Sequence, residues 1–135
     1  MLIDTHCHIN MMVKKQFDTP LSTNDLVTAQ QIVQTAATHN VSTIINVGTS
    51  LTESKNCILL AQTFNTVYAT VGIHPNDYTA QWRNEIAELK KLIKQHNNII
   101  VGIGECGIDL HYPDHNLSTQ KDVFAAQIEL ALEYN

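Results

Sequence analysis

The apolar residues of this chain fall into four short runs, at residues 1–3, 41–47, 67–73 and 99–104, separated by longer stretches in which apolar positions recur three and four apart. The short runs read as strands, the last of them apolar on both faces as in a buried parallel sheet. The longer stretches read as helices. In residues 22–40 the stripe is Leu26, Ala29, Val33, Ala36 and Ala37, with Ser22, Thr23 or Asn24 to cap its start and Asn40 to end it. Thr52 is expected to cap a second helix with Cys57, Ile58, Ala61 and Phe64 on one face. The third helix sets Trp82, Ile86, Leu89, Leu92 and Ile93 against Arg83, Glu85, Glu88, Lys90, Lys91 and Lys94, a charge run that marks a solvated face. Ser118 or Thr119 is expected to cap the last, with Val123, Phe124, Ile128, Ala131 and Leu132 turned inward. Residues 11–21 are the longest irregular stretch and are expected to form a mobile flap.

Alternating strands and helices imply a parallel sheet with right-handed crossovers. Two architectures fit: an open doubly wound sheet, or part of a (β/α)₈ barrel, which typically needs roughly 250 residues. A chain of 135 residues, ending at or just after its last helix, would hold about four of the eight βα units. Residues 1–135 carry no Gly/Ser linker or low-complexity tract, so they read as a single domain, the N-terminal portion of something larger. A half-barrel has two open sheet edges and an apolar inner face, which are association hazards. Self-association, or pairing with a complementary C-terminal half, is therefore expected.

Composition narrows the class. A hydrophobic content of 44% suits a folded α/β protein. The net charge of -5 argues against a basic nucleic-acid clamp. It leaves a phosphodiester substrate open, because divalent cations supply positive charge locally. Cys7, Cys57 and Cys106 form no even disulfide framework and suit a reducing, cytoplasmic location. Asp4 and His6 interrupt the N-terminal apolar stretch, so no signal peptide is expected.

The chemistry gathers where the strand-like runs end. The first leads into Ile3-Asp4-Thr5-His6-Cys7-His8, the third into His74-Pro75, and the fourth into Glu105 and Cys106-Gly107-Ile108-Asp109. Side chains alternate along a strand, so His6 and His8 point the same way and can grip one metal ion. In parallel α/β folds the carboxyl ends of strands are where ligands bind.

Those three segments, with Val71-Gly72-Ile73 before His74-Pro75 and Gly104 before Glu105, resemble the TatD family of metal-dependent deoxyribonucleases. Gln120, Phe124 and Gln127 look like a further signature of that family, and the likeness runs from first strand to last helix. The resemblance implies a TIM-type (β/α)₈ barrel, of which this chain supplies the N-terminal half. It implies two divalent metal ions (Zn, Mg or Mn) at the carboxyl face, His6 and His8 as ligands of one, Glu105 bridging both, and His74 beside the substrate phosphate. The family's remaining ligands, two histidines and a catalytic aspartate, come from later strands and have no counterpart in these 135 residues. The implied reaction is hydrolysis of DNA or another phosphodiester by metal-activated water. The alternatives are a non-catalytic truncated or split fragment, and a related hydrolase acting on amide or ester bonds.

The other candidates read as structural. Asp109 is expected to hold the loop after the fourth strand. Asp4 is expected either to orient a metal ligand from behind or to make a buried hydrogen bond. Cys7 and Cys106 alternate away from the histidines and Glu105, so they should pack against helices. His39, His96, His111 and His115 should face solvent. Gly72, Gly102, Gly104 and Gly107 should permit tight strand-to-loop turns.

Overall fold

The computed structural model describes residues 1–113 and 116–134. Four strands, β1 (Leu2–Cys7), β2 (Val41–Val47), β3 (Val67–Val71) and β4 (Ile100–Ile103), form one sheet in the order β1-β2-β3-β4. Every neighbouring pair is parallel. Each strand thus lies beside its predecessor, with no reversal of strand order. A doubly wound sheet needs such a reversal, so the order excludes that architecture and selects the barrel winding.

The helices are α1 (Ile9–Met12), α2 (Thr23–Thr38), α3 (Leu51–Thr63), α4 (Trp82–Gln95) and α5 (Leu117–Glu133). They cover one face of the sheet. In β3, Val67, Ala69 and Val71 are buried, whereas Tyr68 and Thr70 on the opposite face are only half-buried. One apolar cluster joins Cys57, Ile58 and Ala61 of α3 to β3, to Leu89 and Ile93 of α4, and to Val123 and Leu130 of α5. A second holds Ile9, Ala29, Ile44, Leu60 and Val67 under α2. The edges are open: Leu2 and Ile3 on β1 and Val101 on β4 are exposed. β4 is consequently not the fully buried strand its sequence suggests, because the described residues place no strand on its outer side.

Helix boundaries follow local capping chemistry. Ser22 caps α2 in a reciprocal box with Asp25, as its polar start suggests. The α3 cap is Ser50 rather than Thr52: its hydroxyl accepts the Glu53 N–H at 3.1 Å. The α5 cap is Asn116 rather than Ser118 or Thr119. The inward face of α5 also differs from its apolar pattern. Ile128, Ala131 and Leu132 are exposed, and the buried positions are Gln120, Val123, Gln127 and Leu130. The rotation follows from unpaired backbone beyond β3. Gln127 accepts from Ile73 N–H at 2.8 Å and donates to Ile73 C=O at 3.0 Å, replacing a strand partner.

Residues 11–21 are tethered rather than loose. Glu53, fully buried in α3, accepts hydrogen bonds from Lys14 Nζ at 2.6 Å, Asp18 N–H at 2.8 Å and Asn10 Nδ2 at 2.8 Å. Asn56 holds Leu21 N–H and the Thr19 carbonyl. Burial pushes the Glu53 carboxyl up, but these hydrogen bonds outweigh it and its pKa lies below the ordinary value. At the other side of the site, Gly72 is required by close approach: a Cβ there would lie 2.6 Å from the Gly104 carbonyl carbon. No helix among the described residues is long and apolar enough to cross a membrane.

Candidate metal centre

Three elements converge at the carboxyl edge of the sheet. β1 ends at Cys7; its register to β2 shifts between Leu2 and Ile3 and again between Asp4↔Ile44 and Cys7↔Asn46, leaving His6 in the second irregularity. β2 ends in Val47-Gly48-Thr49, whose three consecutive carbonyls each hold a different partner. Val47 C=O lies 3.0 Å from His8 Nδ1, Gly48 C=O accepts Glu105 N–H at 2.6 Å, and Thr49 C=O accepts His74 N–H at 2.7 Å. One tripeptide thus positions residues arriving from β1, β3 and β4. Nothing in the sequence marks it, because the work is done by main-chain atoms.

The structure brings His6, His8 and Glu105 together: their donor atoms all lie within 4.8 Å of one another. His6 Nε2 is 3.1 Å from His8 Nε2, and Glu105 Oε2 lies 3.7 Å and 3.6 Å from them. Two ligands of one cation at about 2.0–2.1 Å sit roughly 2.9–3.4 Å apart, for octahedral to tetrahedral angles. The imidazole spacing falls in that range, so the two rings fit one divalent ion, while Glu105 Oε2 at 3.6 and 3.7 Å stands a little beyond it. A carbonyl only accepts, so His8 carries its proton on Nδ1 and turns the Nε2 lone pair toward His6. His74 lies next to this cluster, with Nε2 4.0 Å from Glu105 Oε1. Its Nδ1 accepts the Asn76 N–H at 3.2 Å, which leaves the proton on Nε2 in the neutral ring.

A cavity of about 780 Å³ opens over His8, His74 and Glu105, lined also by Thr49, Asp77, Tyr78 and Asp109. Burial pushes the Asp77 carboxyl above its ordinary range, against the pull of His74. Asp109 holds the loop after β4: it accepts from Asn76 Nδ2 at 2.6 Å and from His111 N–H at 2.8 Å, while Gln120 clasps its main chain.

The remaining candidates separate cleanly. Asp4 is exposed, and its Oδ1 accepts the main-chain N–H of His6 at 3.1 Å. It therefore makes neither the buried hydrogen bond nor the contact behind a histidine ring. Cys7 packs against the cluster under α2, and Cys106 lies against Ile103 C=O; burial raises both thiols. His39 is exposed, His96 half-buried, and His111 exposed at the cavity wall. His115 lies outside the described residues. The sequence reading missed the buried polar set Asn10, Lys14, Asn46, Glu53 and Asn56. One signal was available, the Ser50-x-x-Glu53 spacing of a helix start.

A parallel sheet wound in strand order, with imidazoles and a carboxylate converging at its carboxyl edge, has the arrangement of the ligand-binding face of a (β/α)₈ barrel. Residues 3–135 match the family described as TatD related DNase, and the chain belongs to that family. It is 31% identical over its whole length to the uncharacterized metal-dependent hydrolase YabD of Bacillus subtilis, covering 48% of that protein. It is 37% identical over 106 residues to the 3'-5' ssDNA/RNA exonuclease TatD of Pectobacterium atrosepticum, covering 77% of this chain and 40% of that one. The crystal structure of YJJV, a TatD homologue from Escherichia coli K12, superposes with a TM-score of 0.78 at 27% identity, over 98% of this chain and 47% of that one. The chain thus spans about half the length of the relatives it matches, and its fold is half of their TIM barrel.

Proposed function

We propose that this chain supplies the N-terminal half of a catalytic centre that hydrolyses phosphodiester bonds of single-stranded DNA or a related nucleic acid. The observation that carries the reading is the convergence of His6, His8 and Glu105 within 4.8 Å. When bound there, a divalent cation polarises a phosphoryl oxygen and lowers the pKa of water to near neutrality. His6 and His8 hold the ion through neutral imidazoles. Glu105 adds the negative charge that lets cations sit close together. His74 presents its Nε2 proton to the substrate phosphate. These roles need few Arg or Lys, in keeping with the net charge of -5.

The whole protein's activity rests on ligands from strands beyond β4. We place those strands along the open edges of β1 and β4. The test is a pair of measurements on the 135-residue chain. Calorimetry with Mn²⁺ is expected to give cation binding that Glu105→Gln weakens at least about tenfold. Cleavage of a labelled single-stranded oligonucleotide is expected to be far slower than by a relative with the full barrel. Cation-independent cleavage, or rapid turnover by these residues alone, would contradict the division of the centre.

A further inference from the structure

We propose that Thr49 is a substrate-binding residue, whose hydroxyl donates a hydrogen bond to a non-bridging oxygen of the bound phosphodiester. The inference rests on the phosphodiesterase reading and adds a contact to it.

Thr49 is 4% exposed and lines the cavity together with His8, His74 and Glu105. Its Oγ1 is closed to water and has no hydrogen-bond partner; among the described residues only Tyr134 Oη shares that condition. The contrast with its surroundings is sharp. Asn10, Asn46, Ser50, Glu53, Ser54, Asn56, Gln120 and Gln127 are all buried and all paired. A buried hydroxyl without a partner destabilises the fold, and a valine of the same shape would remove the penalty. A threonine at this position therefore calls for a partner that arrives from outside.

The chemistry of the cavity says which partner. A phosphodiester is an anion whose oxygens only accept hydrogen bonds. The wall offers it carboxylates at Asp77, Glu105 and Asp109, which repel it, and donors that include Tyr78 and His111 beside His74 and Thr49. The Thr49 backbone is fixed between the anchor of Glu105, at Gly48 C=O, and that of His74, at its own C=O. Its main chain thus stands between the anchors of two groups expected to surround the phosphate. Because Oγ1 is closed to water in this arrangement, donation to a ligand in the cavity requires the hydroxyl to turn about Cα–Cβ into another staggered well.

The test uses Thr49→Val, which keeps shape and deletes the donor, and Thr49→Ser, which keeps the donor. Three quantities are read for each: the thermal midpoint, the Mn²⁺ affinity by calorimetry, and the affinity for a single-stranded thymidine pentanucleotide with Mn²⁺ present. For Thr49→Val the midpoint is expected to hold or rise by a few degrees. Its Mn²⁺ affinity should match the unsubstituted protein, and its oligonucleotide affinity should fall about tenfold. Thr49→Ser should stay within about threefold of the unsubstituted protein, a small fraction of a lost charged hydrogen bond. Unchanged oligonucleotide affinity in Thr49→Val overturns the proposal and leaves the metal centre standing. So does a loss accompanied by a fall in midpoint or in Mn²⁺ affinity, which would make Thr49 structural. Absence of Mn²⁺-dependent oligonucleotide binding by the unsubstituted protein overturns both readings.

Discussion

His8 donates its Nδ1 proton to the Val47 carbonyl at 3.0 Å, and that single bond decides which nitrogen faces His6. The strand after α2 therefore sets the protonation pattern of a residue delivered by β1. In the neutral, cation-free protein, nitrogen-15 correlation spectra are expected to show His8 protonated at Nδ1. A dominant Nε2–H form of His8 would contradict this assignment.

Lys14 and Glu53 are 2.6 Å apart with side chains 6% and 0% exposed, so neither charge is screened by water. Removing one partner of such a pair strands the other. Lys14→Met is expected to lower the unfolding free energy by about 3–5 kcal/mol in urea titrations. Glu53→Gln should cost less in the Lys14→Met background than alone, since the charge it removes is already unpaired there. Equal costs in both backgrounds would show that the two side chains do not interact.

The lowered pKa of Glu53 has a definite sign in stability. A depressed carboxylate contributes fully above its unfolded value, about 4.3, and loses that contribution as pH falls through the lower folded value. The stability gap between the unsubstituted protein and Glu53→Gln should therefore shrink below about pH 4. Asp77, raised by burial, acts with the opposite sign. A gap constant from pH 7 to pH 3 would contradict the buried ion pair.

Gln127 occupies both main-chain groups of Ile73, 54 residues away. Gln127→Leu leaves a buried N–H and C=O unsatisfied, at about 1–3 kcal/mol each. A clear fall in the urea midpoint is expected, together with faster amide exchange at Ile73. Unchanged exchange there would mean that the glutamine packs without bracing β3.

Strand positions and helix existence were legible because apolar periodicity reports burial directly. The short runs became β1 to β4, and Trp82, Leu89 and Ile93 face inward in α4. The turn of α5 was not legible. Leu132 and Gln127 compete for the same interior, and the glutamine wins because unpaired backbone at Ile73 has a stronger claim than apolar area. The histidine pair was legible from strand alternation. The Val47-Gly48-Thr49 carbonyls that hold the site were not, since main-chain acceptors are identical at every residue. Nor was the anchoring of residues 11–21, because a lone Glu53 in a polar helix turn reads as solvent-facing until the tertiary fold brings Lys14 to it.

The most direct measurement is a calorimetric titration of Mn²⁺ or Zn²⁺ into the unsubstituted protein and into the double variant His6→Ala with His8→Ala. Their Nε2 atoms lie 3.1 Å apart and within reach of Glu105. The expected result is cation binding by the first protein and none detectable in the second, with both folded by circular dichroism. Equal affinity in the two would contradict the metal centre.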